Sequence, residues 1–215
     1  KGVDLSESEL FVCVDSDDYV LPKFVESHLK VYENIKNTED VAGIVSLQAH
    51  SDGKLIGSDF PENIVKTTLN NLYGKLHFKG DATLAYKTQI LKKYPFFVED
   101  GEKFIGESYV YDQIDQKYSM VLLPEILLIK EYLLDGYTKN VRRLTKNNPR
   151  SYMRLKKQCI NYSLDFIGKF KNTILYEVGC ILAHEKMIKY APNKFIAIIA
   201  FLPAWLVWLL FYKNA

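Results

Sequence analysis

The chain turns on LFVCVDSDDYVLPKFV, residues 10–25. Its apolar run, Leu10–Val14, stops abruptly at Asp15-Ser16-Asp17-Asp18, and Pro22 follows. A short apolar run that ends in polar residues is the pattern of a strand buried in a sheet covered on both faces. Proline early in a first turn opens a helix, and Phe24, Val25, Leu29, Val31, Tyr32 and Ile35 recur at helical spacing after it. Working outward, VAGIVSLQA (41–49) is a second strand and Asp52-Gly53 a turn. Glu62–Leu72 is expected to be helical, Asp81–Tyr86 a short strand and Ser108–Tyr118 a helix with Glu107 at its start. Met120–Leu123 and Ile126–Leu133 are strand-like and straddle Pro124. Strands alternating with helices give an α/β fold class.

The composition is that of a folded protein: 215 residues, 48% hydrophobic and 25% charged. It excludes a disordered tail, a collagen-like repeat and a small disulfide scaffold. The net charge of +2 averages two unlike halves. Residues 1–135 hold 14 Lys, no Arg and 23 Asp or Glu, a balance of −9. Residues 136–215 hold 14 Lys or Arg and 3 Asp or Glu, a balance of +11, which asks for an anionic partner. Cys13, Cys159 and Cys180 are scattered among apolar neighbours without metal-ligand spacing, and read as reduced thiols. His28, His50, His77 and His184 do not cluster and read as core or surface residues. KGVDLSESE (1–9) has no apolar core and is not a signal peptide. With Lys1 in first place, the chain reads as processed or as a piece of something longer.

After Asp135-Gly136 the character changes. Residues 149–190 are helical by period, and all four arginines fall between Arg142 and Arg154. Phe195–Tyr212 (FIAIIAFLPAWLVWLLFY) then runs 18 residues without a charge, between Lys194 and Lys213. Eighteen helical residues reach about 27 Å, close to the hydrocarbon thickness of a bilayer. The Lys/Arg excess on the N-terminal side puts residues 1–194 in the cytoplasm. Membrane insertion, an in-plane or re-entrant arrangement and a soluble core helix all remain open for this segment. The basic stretch 139–157 suits anionic headgroups. The acidic first part and the apolar tail weigh against nucleic acid as a partner. The organisation expected is 1–140 as one α/β domain, 141–193 as a basic helical region and 194–213 as an apolar membrane helix.

Carboxylates one residue apart at a strand end can point into one small volume, where they repel and a hard divalent cation relieves them. In open α/β sheets, ligands bind beyond the carboxyl ends of strands. A cation there, sharing water and phosphate oxygens, suits a nucleotide diphosphate. The plainer reading is that Asp17 or Asp18 caps the helix entered near Pro22. A calcium loop is a weaker reading still, with no further ligand ladder and no Glu at the twelfth position.

FVCVDSDDYVLPKFV resembles the DxD region of family 2 glycosyltransferases, which have the GT-A fold. GDATLAYKTQILKKYPF (80–96) is similar to the family's strand and helix after the acceptor region. EKFIGESYVYDQIDQKY (102–118) is similar to the segment carrying the catalytic carboxylate. EYLLDGYTKN (131–140) looks like the closing element. The resemblance covers about residues 8–145. It implies a partial GT-A (Rossmann-like) sheet with helices, followed by an α-helical C-terminal tail with an apolar membrane-associated helix. It implies inverting, metal-dependent transfer of a sugar from a nucleotide-diphospho-sugar donor to the hydroxyl of a glycan or lipid-linked acceptor, in cell-surface polysaccharide or glycan synthesis. Carried over by motif, Asp17 and Asp15 would hold Mn2+ or Mg2+. Asp15 and Asp18 would contact the donor, with Thr138, Lys139 and Arg142 in the closing segment. Glu107 matches the catalytic base, with Asp100 of Glu99-Asp100 as runner-up. In the family the DxD follows about a hundred residues that bind the nucleotide base, so this chain is expected to lack that N-terminal half, and 1–140 to be the acceptor and metal half of a catalytic domain. A Q-x-x-R-W signature is absent, which favours single-sugar transfer. Localisation at the cytoplasmic face of the cell membrane, through 195–212, follows from the tail. The alternative function is a non-catalytic membrane- or partner-binding remnant of a glycosyltransferase.

Overall fold

The computed structural model describes residues 1–131 and 140–213. The chain divides into two compact units, Lys1–Pro95 with Val110–Leu133, and Phe96–Tyr109 with Leu134–Ala215. The architecture is mixed α/β, as the alternation of strands and helices predicts, with a helical C-terminal part.

In chain order the first unit contains α1 (Gly2–Leu5), β1 (Leu10–Val12), β2 (Tyr19–Val20), α2 (Phe24–Ile35) and β3 (Val41–Ala49). β4 (Lys66–Thr67), α3 (Leu69–Gly74), β5 (Ala82–Lys87) and α4 (Thr88–Leu91) follow. α5 (Ser108–Asp115) and β6 (Ser119–Ile129) complete it, α5 beginning in the other unit. The sheet runs β1-β5-β3-β6-β2, with β4 also on β6. β3 and β6 are parallel and every other pair is antiparallel.

Each residue of β3 is buried, the expected environment for a continuous apolar run in a central strand. Phe24, Tyr32 and Ile35 of α2 pack on Val41, Ile44, Ala85, Leu123, Leu127 and Leu128. His28 lies on the same inward face. Its Nδ1 is 2.7 Å from the Phe24 carbonyl, its Nε2 is 3.3 Å from Ser46 Oγ, and burial lowers its pKa. Lys87 Nζ donates to the carbonyls of Ile35 (2.8 Å) and Thr38 (2.7 Å), placing a cation at the C-terminal end of α2.

Three local expectations change. β1 is a half-buried edge strand of this sheet rather than a fully covered one. The helix expected over 62–72 is confined to α3 because its start is fixed by capping. Thr68 Oγ1 accepts from Asn71 N–H at 3.2 Å, and the Asp115 carboxylate accepts from Leu69 and Asn70 N–H at 2.5 and 2.8 Å. The two strand pieces around Pro124 form one strand. Its register on β3 jumps from Ser46↔Leu123 to Leu47↔Ile126, so Pro124 and Glu125 form an irregularity that spares the ladder a missing donor.

The second unit contains α6 (Val141–Asn147), α7 (Pro149–Tyr162), α8 (Phe166–Ala183) and α9 (Lys194–Phe211). The helical stretch 149–190 breaks at Ser163–Asp165, where the Asp165 carboxylate caps α8 by accepting from Gly168 N–H at 2.5 Å. α7 packs on α8, and α8 on α9. Ile160, Tyr176 and Cys180 form the centre, with Met153, Met187 and Ala191 against them. Residues 99–104 are fastened to the start of α7. Glu102 accepts from Arg150 N–H (2.8 Å) and Ser151 N–H (2.7 Å), and Asn148 Oδ1 accepts from Lys103 N–H (2.7 Å) and Phe104 N–H (3.0 Å). Glu177 of α8 is fully buried, and neither of its carboxyl oxygens has a hydrogen-bond partner among the described residues. Burial pushes its carboxyl up to about 7.

Candidate active site

β1 delivers the chain to a tight turn in which Asp18 N–H donates to the Asp15 carbonyl at 3.1 Å. From there the chain enters β2, which pairs with the last residues of β6. Lys130 and Glu131 follow β6 directly. Glu131 N–H donates to Asp18 Oδ1 at 3.2 Å, and Lys130 N–H donates to the carbonyl of Ala49 at the end of β3 at 2.9 Å. The carboxyl ends of β1, β3 and β6 therefore meet at one edge of the sheet, the usual ligand-binding edge of open α/β sheets.

β5 runs antiparallel to β1 and β3, so its beginning lies at that same edge. Asp81 stands immediately before it. The approach to Asp81 is set by Gly57 and Gly80, whose φ values are +87° and +109°. A Cβ on Gly57 would lie 1.8 Å from the Lys79 carbonyl oxygen, and one on Gly80 2.1 Å from that of Ile56. Only glycine permits two backbones to cross so closely.

Lys130 Nζ lies 3.4 Å from Asp81 Oδ2 and 4.0 Å from Asp15 Oδ2. The Asp18 carboxyl is raised above its ordinary value, first by burial and further by Asp15 and Asp17. The Glu131 N–H and the Lys130 charge oppose that rise. The edge thus brings Asp15, Asp18 and Asp81 around the Lys130 ammonium, with Asp17 in the same turn and Glu131 next in the chain. Sequence reasoning found Asp15, Asp17 and Asp18, and the structure places them in one turn. It missed Asp81 and Lys130. The Gly80-Asp81 step before a strand was a visible signal, but its value depends on β5 pairing antiparallel to β1.

The donor set at this edge is all oxygen, which suits Mg2+ or Mn2+. Among the described residues no group of three or more His, Cys, Asp or Glu forms a ready-made metal cage. Mg2+ is commonly held by one or two carboxylates plus substrate phosphates and water, and the turn offers that kind of incomplete shell.

The remaining candidates belong to the second unit. Glu107 is exposed and directly precedes α5. Asp100 is exposed as well. Their acidic neighbours are engaged: Glu99 accepts from Arg154 Nε at 2.6 Å, and Glu102 caps α7. Arg154 in turn lies 4.1 Å over the Phe97 ring. Arg142 is exposed on α6, with its guanidinium 4.8 Å over the Phe211 ring. Thr138 and Lys139, with most of the element 131–140, lie outside the described residues.

No family model matches the chain. The chain is 26% identical over 160 residues to an uncharacterized glycosyltransferase of Methanocaldococcus jannaschii, covering 73% of this chain and 52% of that protein. The chain therefore spans about half the length of the curated relative it matches. At this identity, the similarity supports a relationship to the glycosyltransferases in general.

Proposed function

We propose that this chain supplies the cation- and acceptor-side part of an inverting glycosyltransferase of the family 2 kind. It would move a sugar from a nucleotide-diphospho-sugar to an acceptor hydroxyl in cell-surface polysaccharide or glycan synthesis. The observation that carries the proposal is the gathering of carboxylates at the carboxyl edge of the sheet, where Asp15 and Asp81 share Lys130 and Asp15 and Asp18 close one turn. The similarity to a glycosyltransferase supports the same class of chemistry.

In this mechanism Asp17 and Asp15 would hold Mn2+ or Mg2+ through carboxylate oxygens, and Asp15 and Asp18 would contact the donor. When bound, the cation supplies positive charge to the leaving diphosphate. Glu107, exposed ahead of α5, takes the proton from the acceptor hydroxyl as that oxygen attacks the anomeric carbon from the side opposite the diphosphate. Attack from that side inverts the anomeric centre. Arg142, with Thr138 and Lys139, provides donors for diphosphate oxygens. The basic helices and α9 hold the protein at the cytoplasmic face of the cell membrane, close to a lipid-linked acceptor.

The test is sugar transfer and donor hydrolysis across a panel of nucleotide-sugars with Mn2+. Asp17→Asn and Glu107→Gln are each expected to lower kcat about a hundredfold or more. Their circular dichroism should match the parent. Parental rates in both variants would reject the site. A parent inert toward every donor that still binds membranes would favour the non-catalytic reading.

A further inference from the structure

α9 is apolar around its whole circumference, but its residues are sorted by size. Ile196, Ala197, Ala200 and Ala204 are buried, and α9 packs on α8. Phe195, Ile198, Leu202, Leu206, Leu209 and Leu210 are exposed. At about 100° per residue these six fall on one half of the helix. Leu202 is 75% exposed and Leu206 57%, whereas the three alanines are fully buried. A core helix of a water-soluble protein puts its large apolar side chains inward, and here they point out.

Length and composition alone allow α9 to cross a bilayer, with a mean hydropathy of 2.2 over Lys194–Phe211. Its packing argues against crossing. α8, which supports α9, carries Lys169, Lys171 and the buried Glu177. α8 is itself packed on α7, which carries Arg150, Arg154, Lys156 and Lys157. The far end of α9 is held by the same charged framework, because the Arg142 guanidinium of α6 lies over the Phe211 ring. A spanning α9 would separate its ends across the hydrocarbon and draw these charged helices in with it, which is costly for every Lys and Arg. An α9 lying flat immerses only its outward face.

The charge selects the occupant of that face. Residues 136–215 carry a balance of +11, and Lys194 and Lys213 bracket α9. A second copy meeting this one face to face would bring two such tails together. An anionic phospholipid surface complements them. We propose that α9 lies in the plane of an anionic phospholipid surface, with its Phe195–Leu210 face among the upper acyl chains and its alanine face on α8. This pose rests on the membrane association proposed above and specifies its geometry.

Both tryptophans of the chain, Trp205 and Trp208, lie in α9, so tryptophan fluorescence, excited selectively over the 15 tyrosines, reports on this helix alone. The experiment uses the full chain with vesicles of phosphatidylcholine containing about a quarter phosphatidylglycerol. Bromines are placed either high on the acyl chain or near its end. An in-plane helix is quenched at least about twofold more by the shallow bromines, since such helices sit only about 5–10 Å deep. A spanning helix puts Trp205 close to the bilayer centre. The expected result includes extraction of bound protein by alkaline carbonate. Leu202→Glu with Leu206→Glu should lower vesicle partition at least about tenfold, with unchanged helicity because both side chains point outward. Stronger quenching by the deep bromines, with resistance to carbonate, overturns the in-plane pose and leaves membrane association standing. Failure to bind either vesicle overturns both. A lipid-free dimer dissolved by Leu202→Glu overturns the choice of lipid as occupant.

Discussion

Lys130 governs the acidic edge of the sheet. Its ammonium is shared by Asp15 and Asp81, and it lowers the Asp18 carboxyl against the rise caused by burial and by two neighbouring aspartates. A divalent cation entering this edge meets a resident monovalent one. At about 4 Å, one unit charge is worth about 1 kcal/mol under water-like screening, roughly a fivefold change in binding. Lys130→Met is therefore expected to tighten binding of Mn2+ alone several-fold, and Asp81→Asn to weaken it by a similar factor. Calorimetric titration reads both. Equal Mn2+ affinity in the parent and Asp81→Asn would remove Asp81 from the site. The other residue that stands out is Glu177. Unfolded, its carboxyl titrates near 4.5; folded, burial moves it to about 7. The folded state holds this proton more tightly, so the contribution to stability is full below pH 4.5 and is lost as pH rises through 7. Glu177→Gln removes the dependence. It should match the parent near about pH 4.5 and exceed it by about 3 kcal/mol near pH 8, read by urea unfolding at the two values.

Among the elements, α7 depends on a partner remote in sequence. Glu102 accepts from both Arg150 and Ser151 N–H, filling two donor positions at a helix start with a carboxylate. Glu102→Ala should cost about 1–2 kcal/mol of stability, and Glu102→Gln less, since an amide oxygen still accepts. Urea midpoints check the order. If Glu102→Ala instead lowers transfer with no loss of stability, the carboxylate serves chemistry rather than capping. The same distance explains what the sequence could convey. α2 and β3 were legible because apolar period and run length are local properties. The Asp15–Asp18 turn was legible because it directly follows a strand. Glu102 reads as one more acid in EKFIGE until α7 is placed over it. Asp81 gains meaning only through the pairing of β5 with β1, and α3 is shorter than its pattern because Asp115 fixes where it begins. The size sorting on α9 is invisible in a segment that is apolar at nearly every position.

Across the whole molecule, charge and apolar surface are segregated together. The first 135 residues carry −9, and the remainder carries +11 with the apolar α9. Attraction of the basic part to an anionic surface acts through ions and is screened. Immersion of the α9 face acts through apolar area and is not. The two contributions separate by salt. The screening length is about 10 Å at 0.1 M ionic strength and about 3 Å at 1 M, and each Lys or Arg near an anionic surface contributes about 1 kcal/mol at low salt. Raising salt across that range should lower partition into anionic vesicles at least about tenfold. Partition into purely neutral vesicles should be weaker at low salt and almost unchanged by it. The two curves are expected to converge at high salt on a residual partition set by the outward leucines. Co-sedimentation with the two vesicle types gives both curves. Complete release from anionic vesicles at high salt would mean that charge alone holds the protein, and the α9 face would then need another partner.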